Sequence, residues 1–363
     1  MHGKIGLIVL ESAARLGRRV DLVLSEWRDG EHFVIPLDCP RFSSGEGKCV
    51  IDESVRDRDI YILLDVCNPS LTYQMYGETN RMSPDDHYQD LKRVIAACNG
   101  KADRINVIMP FLYEGRQHRK TSRESLDCAV MLRDLENMGV RNLITFDAHD
   151  PRMQNVAPLM SIENVLPTLQ FTQALLTEYE DLKPDSGHMM FIAPDEGATE
   201  RVVFMASIFG VNIGMFYKRR DYTRIVNGSN PVIAHDFCGG SIRDKDVIVV
   251  DDMIASGGSM LDTCRQLKEM GAGRVFVFST FGLFTSGLER FDQAYAAGWF
   301  DRIFTTNLVY QKPELLEREY YFSVKMGRYI AALIDTLNKG STLQELTRPA
   351  ARVRQMLDLY VKK

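Results

Sequence analysis

Short apolar runs alternate with segments of helical periodicity along most of the chain. Residues 60–64 of the segment 60–66 (IYILLDV), residues 189–193 (MMFIA) and residues 247–250 (VIVV) are apolar at consecutive positions, which is typical of parallel strands buried on both faces. Between such runs, apolar residues recur three and four positions apart, as they do in amphipathic helices. Strands that alternate with helices predict parallel sheets with crossover connections, so the fold class is predicted to be α/β.

The alternation runs through the chain twice and divides it into two parts. We predict two similar doubly wound parallel-sheet domains, residues 1–165 and 166–330, followed by a helical extension at 331–363. The predicted strands are 60–66, 105–110, 142–146, 189–193, 212–217, 247–250, 273–279 and 302–305. The predicted helices are 88–98, 126–138, 170–179, 199–209, 318–337 and 344–360, and residues 75–86 are predicted to form a loop.

Composition places the chain among ordinary globular proteins. Its 44 basic and 49 acidic residues give a net charge of −5, which argues against a nucleic-acid or membrane partner. The apolar run at residues 5–10 is far shorter than the ~18 residues that a membrane span needs. We therefore expect a cytoplasmic protein.

The cysteines show no pattern of a disulfide framework or of a structural zinc site. There are seven, an odd number, and none forms a CxxC pair. We expect them to be reduced and mainly buried thiols.

The chain is organised around residues 247–259, VIVVDDMIASGGS, where an apolar strand ends in two carboxylates and continues into a glycine-rich turn and a helix. Free backbone N–H groups at a helix N-terminus bind anions, and glycine lets the backbone approach them closely. The turn, Ser256, Gly257, Gly258 and Ser259, is therefore predicted to hold a phosphate. Asp251 and Asp252 are better suited to the hydroxyls of a sugar, or to a metal, than to phosphate. A phosphate at one end and a diol at the other describe ribose 5-phosphate.

This stretch resembles the loop for phosphoribosyl pyrophosphate (PRPP) that type I phosphoribosyltransferases and PRPP synthetases share. Ala255 departs from the family, in which many members carry an acidic residue at that position. Two other nucleotide-binding motifs are absent. No Gly-Lys pair sits in a GxxxxGK[ST] loop, and no GxGxxG follows a strand.

A basic cluster follows the strand at 105–110. Residues 110–120 (PFLYEGRQHRK) carry three cations and a histidine in five positions, which suits a polyphosphate, although a solvated loop would show the same charges. The segment resembles the ATP-binding segment of PRPP synthetases, and this implies ATP contacts by Arg116 and Gln117. His118 stands where that family often has aspartate.

Two acidic segments at strand ends resemble metal-binding segments of the same family. Residues 145–150 (TFDAHD) imply that His149 binds the magnesium of Mg-ATP, and residues 193–197 (APDEG) imply Asp195 as a second metal or ribose ligand. Mg²⁺ prefers oxygen ligands and keeps few protein contacts, which agrees with a metal held largely by substrate phosphates.

Two further segments extend the resemblance. Residues 217–228 (YKRRDYTRIVNG) resemble the family's catalytic flexible loop, in which the lysine and the second arginine act on the transferring group, here Lys218 and Arg220. By themselves, these charges are equally typical of a solvated loop. Phe42, Ser44 and Glu46 fall in a segment resembling the one that reaches the adenine site of a neighbouring subunit.

The resemblance to ribose-phosphate pyrophosphokinases covers about residues 41–346, with these segments in matching order. It implies transfer of a diphosphoryl group from Mg-ATP to ribose 5-phosphate by a homo-oligomer built from dimers, with a hexamer as one option. The sequence departs from the family pattern in an insertion around residues 76–84 and in the C-terminal extension. Two alternatives stay open: a phosphoribosyltransferase that uses PRPP, and a catalytically silent regulatory homologue.

Overall fold

The computed structural model describes residues 2–98, 100–220 and 232–362, with the backbone alone at 218–220 and 232–235. In chain order the strands are β1 Lys4–Val9, β2 Leu37–Asp38, β3 Val50–Ile51, β4 Arg58–Leu63, β5 Thr72–Met75, β6 Glu78–Arg81, β7 Arg104–Ile108, β8 Asn142–Phe146, β9 Ser161–Val165, β10 Met189–Ala193, β11 Asn212–Arg220, β12 Val232–Gly239, β13 Asp246–Ile254, β14 Val275–Gly282, β15 Arg302–Thr306 and β16 Tyr321–Val324. The helices are α1 Ala14–Trp27, α2 Pro84–Cys98, α3 Asp127–Asn137, α4 Thr168–Glu178, α5 Thr199–Phe209, α6 Gly258–Glu269, α7 Glu289–Ala296, α8 Pro313–Leu316, α9 Gly327–Asn338, α10 Gln344–Thr347 and α11 Ala350–Val361.

The chain forms two compact units. Unit 1 contains Met1–Pro167 together with Asn307–Tyr310 and Lys325–Arg348, and unit 2 contains Thr168–Thr306, Gln311–Val324 and Pro349–Lys363. The C-terminal residues therefore divide between the units, whereas the sequence predicts a separate extension from 331. The reason is packing, because α9 lies against α1 in unit 1 and α11 lies against α4 and α5 in unit 2.

Unit 1 is built on a parallel five-stranded sheet in the order β1-β4-β7-β8-β9. Ile62, Val107 and Leu143, one from each of the three central strands, are fully buried in its core. Burial on both faces explains why these strands read as continuous apolar runs. Two short antiparallel pairs, β2 with β3 and β5 with β6, lie outside this sheet.

Unit 2 is built on a seven-stranded sheet in the order β12-β11-β10-β13-β14-β15-β16, in which only the β11–β12 pair is antiparallel among the described strands. From β10 the chain moves through α5 to β11 on one side, and from β13 it moves through α6 to β14 on the other. The strand order therefore reverses between β10 and β13. At such a point the loops diverge above the carboxyl ends of the strands and leave a crevice that binds ligands in open α/β sheets.

The α/β class with parallel sheets is confirmed, and several local predictions need correction. Residues 318–337 are not one helix, because 321–324 add β16 to the sheet and α9 begins at 327. The predicted loop at 75–86 contains part of the β5–β6 hairpin and the first turn of α2. No helix among the described residues has the length and apolar character required to cross a bilayer.

The expectation that all cysteines are reduced is also wrong, because Cys39 and Cys49 form a disulfide. The antiparallel register of β2 and β3 pairs Leu37 with Ile51 and Asp38 with Val50, which places Cys39 opposite Cys49. The sequence spacing of ten residues contains no CxxC, so the bond follows from hairpin register and not from a local motif.

Candidate functional site

The glycine turn predicted to bind phosphate lies between β13 and α6 in unit 2. The strand continues past the two carboxylates to Ile254, so Asp251 and Asp252 lie within β13 and not at its end, as the sequence had suggested. α6 begins at Gly258 with Gly257 as its N-cap. Because the first turn of a helix leaves its amide N–H groups without intrahelical acceptors, this end of α6 can bind an anion.

Gly257 has a φ of +80°, in the left-handed region that favours glycine. A Cβ atom at this position would lie 2.1 Å from Cζ of the buried Phe291. Gly258 differs, because the nearest atom to a Cβ there would be Nη1 of Arg290, at 3.9 Å. The sharp turn and the close contact with Phe291 therefore require glycine at 257, whereas 258 has open space.

The two aspartates of β13 lie in a charged cluster. Burial, with the adjacent charge of Asp252 adding to it, raises the pKa of Asp251 well above its ordinary value, and Asp195 acts in the same direction. Arg201 opposes this shift. Its Nη2 lies 3.9 Å from Oδ2 of Asp252, and its Nη1 donates to the carbonyl of Gly197 at 3.3 Å.

Asp195 lies two residues after the end of β10 and belongs to the same cluster through its charge. Its carboxylate accepts a hydrogen bond from the N–H of Gly197 at 3.0 Å, which fixes the short 3-10 turn Glu196–Ala198. β10 and β13 are the two strands at which the sheet order reverses. The acid pair, the glycine turn and Asp195 are thus brought together at the ligand-binding position of this fold.

Arg201 is a residue that sequence reasoning missed. It lies in the first turn of α5, directly after the segment that contains Asp195, and its side chain is 12% exposed. The available signal in the sequence was a cation four positions beyond Gly197 and close along the chain to one predicted acidic ligand, Asp195.

In unit 1, the segments after β7 and β8 meet at the carboxyl edge of the sheet, because these two strands are parallel neighbours. The rings of His118 and His149 lie 5.5 Å apart between centroids. Nε2 of His118 is 3.4 Å from Oδ2 of Asp150. Hydrogen bonds from Arg152 lower the pKa of Asp150 to about 2, so Asp150 holds a negative charge beside His118.

Arg116 and Gln117 belong to the same edge. Arg116 is exposed, and its charge opposes the rise in the pKa of the neighbouring Cys67 thiol, which burial and Asp65 cause. Gln117 donates from Nε2 to the carbonyl of Ser125 at 2.9 Å. The contact of this segment with His149 that the structure shows is made by the neighbouring His118.

Asp65, at the end of the run that contains β4, is a second residue that sequence reasoning did not assign to the site. It is buried, and it accepts hydrogen bonds from the N–H groups of Cys67 at 2.8 Å and Tyr310 at 2.6 Å. Burial raises its pKa to about 7. A carboxyl group that closes an apolar strand was the signal, since such groups cluster at the ligand-binding edge of parallel sheets.

Phe42, Ser44 and Glu46 lie on a hairpin, residues 37–51, which we call the arm. The disulfide and a bridge between Arg41 and Gly47 hold its two sides together. Near the tip, the N–H of Phe42 donates to the carbonyl of Glu46 at 2.7 Å, and Ser44 Oγ donates to Glu46 Oε2 at 2.8 Å. Phe42 is 54% exposed, so the arm presents an aromatic ring beside a hydroxyl and a carboxylate.

The remaining predicted site residues are Lys218 and Arg220. Both belong to β11 by their backbone, and their side chains lie outside the described part of the structure. Among the residues that are described, no group of three or more histidine, cysteine, aspartate or glutamate side chains has the arrangement of a metal site.

Comparison with known proteins gives matches over both units. Residues 6–139 match the model for the N-terminal domain of ribose phosphate pyrophosphokinase, and residues 172–290 match the phosphoribosyl transferase domain. The ribose-phosphate pyrophosphokinase of Vibrio parahaemolyticus is 28% identical over 68% of this chain and 70% of its own length. That of Pasteurella multocida is 26% identical over 84% and 85%. The crystal structure of phosphoribosylpyrophosphate synthetase from Mycobacterium smegmatis has a TM-score of 0.74 at 21% identity, covering 93% of this chain and 100% of that chain, and thus shares the fold.

Proposed function

The chain belongs to the ribose-phosphate pyrophosphokinase family, and on that basis we propose that it transfers the diphosphoryl group of Mg-ATP to the 1-hydroxyl of ribose 5-phosphate, giving PRPP and AMP. The observation that carries the proposal is the position of the acid pair and the glycine turn at the strand-order reversal of unit 2. A phosphate-binding helix end next to carboxylates fits a sugar phosphate whose other end remains free to react.

In this proposal the phosphate of ribose 5-phosphate binds the N–H and hydroxyl groups of Ser256, Gly257, Gly258 and Ser259. Asp251 and Asp252 accept hydrogen bonds from the 2- and 3-hydroxyls of the sugar. Arg201 limits the repulsion between these carboxylates, since its charge opposes the raised pKa of Asp251. In this arrangement neither aspartate contacts the phosphate, so the carboxylates of the site and the phosphate of the ligand lie at opposite ends of the sugar.

ATP would bind unit 1. Arg116 and Gln117 are the proposed contacts at the sheet edge, and Phe42, Ser44 and Glu46 the proposed contacts on the arm. An exposed aromatic ring offers a stacking surface for adenine, and the hydroxyl and carboxylate beside it can accept hydrogen bonds from an amino group.

Mg²⁺ is the cofactor that this reaction class requires. His149 in unit 1 is the proposed ligand of the magnesium of Mg-ATP, and Asp195 in unit 2 is the proposed ligand of a second metal or of the ribose. The carboxylate of Asp195 supplies a hard oxygen donor, and a small number of protein ligands agrees with an ion bound mainly through substrate phosphates and water. When bound, the ion neutralises charge on the phosphates. Orientation of the substrates and the remaining charge stabilisation would come from the chain itself.

Lys218 and Arg220 are the proposed catalytic residues. Phosphoryl transfer requires little covalent chemistry from the protein, so cations that meet the charge of the transferring group supply much of the rate. We also propose a homo-oligomer built from dimers. Its molar mass, measured by light scattering during size-exclusion chromatography, tests this directly.

The test of the function is to incubate the purified protein with Mg-ATP and ribose 5-phosphate and to follow the products by phosphorus NMR. AMP and PRPP should appear in equal amounts, and Lys218→Ala should reduce both signals together. ADP with a sugar bisphosphate would overturn the proposal. In a second incubation, with PRPP and a nucleobase, release of pyrophosphate would identify a phosphoribosyltransferase. No turnover in either incubation would identify a silent homologue.

A further inference from the structure

The β5–β6 hairpin packs against the arm. The N–H of Tyr76 donates to the carbonyl of Ser43 at 2.9 Å, and a Cβ on Gly45 would lie 2.6 Å from Sδ of Met75. The tip of the arm is therefore in direct contact with β5 and with the turn that follows it. Along β5, Tyr73 and Met75 are half-buried, whereas Thr72 and Gln74 are exposed. Because side chains alternate across a strand, one face of the hairpin lies toward the arm and the other lies toward solvent.

Arg41 joins the arm to two neighbouring elements. Its Nη1 and Nη2 each donate to a carboxylate oxygen of Asp90 on α2, both at 2.8 Å. The same guanidinium lies 5.3 Å from the ring centroid of Tyr73, in a cation–π contact. Both charged side chains are almost fully buried, with 8% of Arg41 and 6% of Asp90 exposed.

Arg41 also stands at the base of the segment that carries the proposed ATP contacts. Its backbone pairs with Gly47, so these two residues close a loop that contains Phe42, Ser44 and Glu46. A Cβ on Gly47 would collide with Nη1 of Arg41, so the guanidinium packs directly against Gly47. One side chain thus fixes both ends of the loop relative to α2 and β5.

We propose that Arg41 and the β5–β6 hairpin are positioning elements for ATP binding: they hold Phe42, Ser44 and Glu46 in the arrangement that receives the nucleotide. This inference rests on the proposed function, and it assigns a role to the inserted hairpin. A bidentate ion pair fixes the orientation of the guanidinium as well as its position, and a lysine ammonium cannot reproduce that geometry. Ordering the loop in advance lowers the entropy lost when ATP binds.

The test compares Arg41→Lys and Tyr73→Ala with Gln74→Ala as the matched control. Gln74 belongs to the same strand, and its side chain donates to Thr79 within the hairpin, away from the arm. We expect Arg41→Lys to raise KM for Mg-ATP about tenfold, which corresponds to about 1.4 kcal/mol, with Tyr73→Ala in the same direction. The value of kcat and the KM for ribose 5-phosphate should stay near wild type, and Gln74→Ala should match wild type in all three.

Thermal melts separate positioning from folding. If Arg41→Lys has a lower melting temperature than wild type, Tyr73→Ala decides whether the contact acts through positioning. The half-buried ring of Tyr73 can be removed without leaving a charge unpaired. The inference would be overturned if the KM for ATP is unchanged in both variants. It would also be overturned if kcat falls and both KM values rise by similar factors. If the wild type makes no PRPP, the proposed function fails by itself. Calorimetric titration with a non-hydrolysable Mg-ATP analogue then decides the inference, which stands if Arg41→Lys binds more weakly than wild type and falls if the two are equal or if neither binds.

Discussion

Arg201 and Asp252 face one another inside unit 2, with Nη2 of the arginine 3.9 Å from Oδ2 of the aspartate. Only 12% and 5% of the two side chains are exposed, so water screens their charges weakly. Since the charge of Arg201 also opposes the raised pKa of Asp251, it compensates the negative charge of the whole acidic cluster. A buried carboxylate that loses its cation is left with an uncompensated desolvation cost.

Arg201→Met should therefore destabilise the protein and weaken its sugar-phosphate site. We expect a loss of about 1–3 kcal/mol in the free energy of unfolding, less than the roughly 3–5 kcal/mol for breaking a buried ion pair, because the contact is long. Affinity for ribose 5-phosphate should fall as well. Chemical denaturation and calorimetric titration measure the two effects. Arg201→Lys, which retains the charge, should recover most of both, and equal values for methionine and lysine would contradict the electrostatic argument.

The glycine turn offers a pair of variants that separates binding from folding. A side chain at Gly257 would meet Phe291 and would have to adopt a φ of +80°, so Gly257→Val is expected to disturb the fold and cannot isolate the binding role. Gly258→Val has open space at its Cβ and should melt within a few degrees of wild type. Its branched side chain should nevertheless obstruct the N–H groups of the turn and reduce ribose 5-phosphate affinity by about tenfold or more.

Calorimetric titration of Gly258→Val with ribose 5-phosphate, beside a melt of the same sample, is the measurement. Wild-type affinity for ribose 5-phosphate in a folded Gly258→Val variant would contradict the assignment of the phosphate site to this turn. Gly258→Ala is the control, since a single methyl group at the first position of α6 should leave both properties near wild type.

The central strands of the two sheets, such as β4, β10 and β14, could be predicted because they are buried on both faces and therefore read as apolar runs. The strands β9 and β16 at the sheet edges are only partly buried and could not be predicted in this way. The β5–β6 hairpin could not, because its two-residue turn uses Tyr76 and Gly77, both at positive φ. Such turns usually contain Asn-Gly or Asp-Gly, and a tyrosine at the first position does not indicate a turn. Residues 318–337 misled for a related reason, since the four residues of β16 are too few to show a strand period beside a long helix.

The candidate site shows the same limit. Residues 251–259 and 116–118 carry their chemistry in consecutive positions, so the sequence alone indicates them. Arg201 acts on Asp252 across 51 positions of the chain through the packing of α5 beside β10 and β13, and that contact exists only in three dimensions. The Cys39–Cys49 bond likewise depends on the register of two strands of two residues each, which are too short to show a pattern.

Stability should fall as the pH rises from about 4 to about 7 because of Asp65. Burial raises its pKa in the folded protein to about 7, against about 3.9 in an unfolded chain. Between these values the folded state keeps a proton that the unfolded state releases, so the contribution of Asp65 is complete below the lower pKa and is lost through the upper one. The loss is at most about 1.4 kcal/mol per pH unit. Denaturation at pH 5, 6 and 7 should show the stability difference between wild type and Asp65→Asn shrinking with pH, and a difference that grows would contradict the assignment.

The cysteines can be counted chemically. One disulfide and five free thiols predict that alkylation of the unfolded protein without reductant modifies five of the seven cysteines. Reduction beforehand should raise the number to seven. In Cys49→Ser, mass spectrometry should find Cys39 alkylated without any reductant. Seven modified cysteines in the unreduced wild type would restore the expectation made from the sequence.

Lys218 and Arg220 provide the test of how the reaction is accelerated. If these cations meet the transferring group mainly as its charge develops, truncating either to alanine should lower kcat by roughly 10² to 10³, the scale for losing one preorganised donor, with little change in KM for ribose 5-phosphate. The double variant should lose less than the product of the two effects, because both residues act on the same charge. Arg219→Ala is the matched control, since it removes an equal charge from the same run of three without an assigned role. Steady-state kinetics on the four variants, with melts to confirm folding, decide between two outcomes. An unchanged kcat with a raised KM would make this segment a substrate-binding surface and would require other residues to stabilise the transition state.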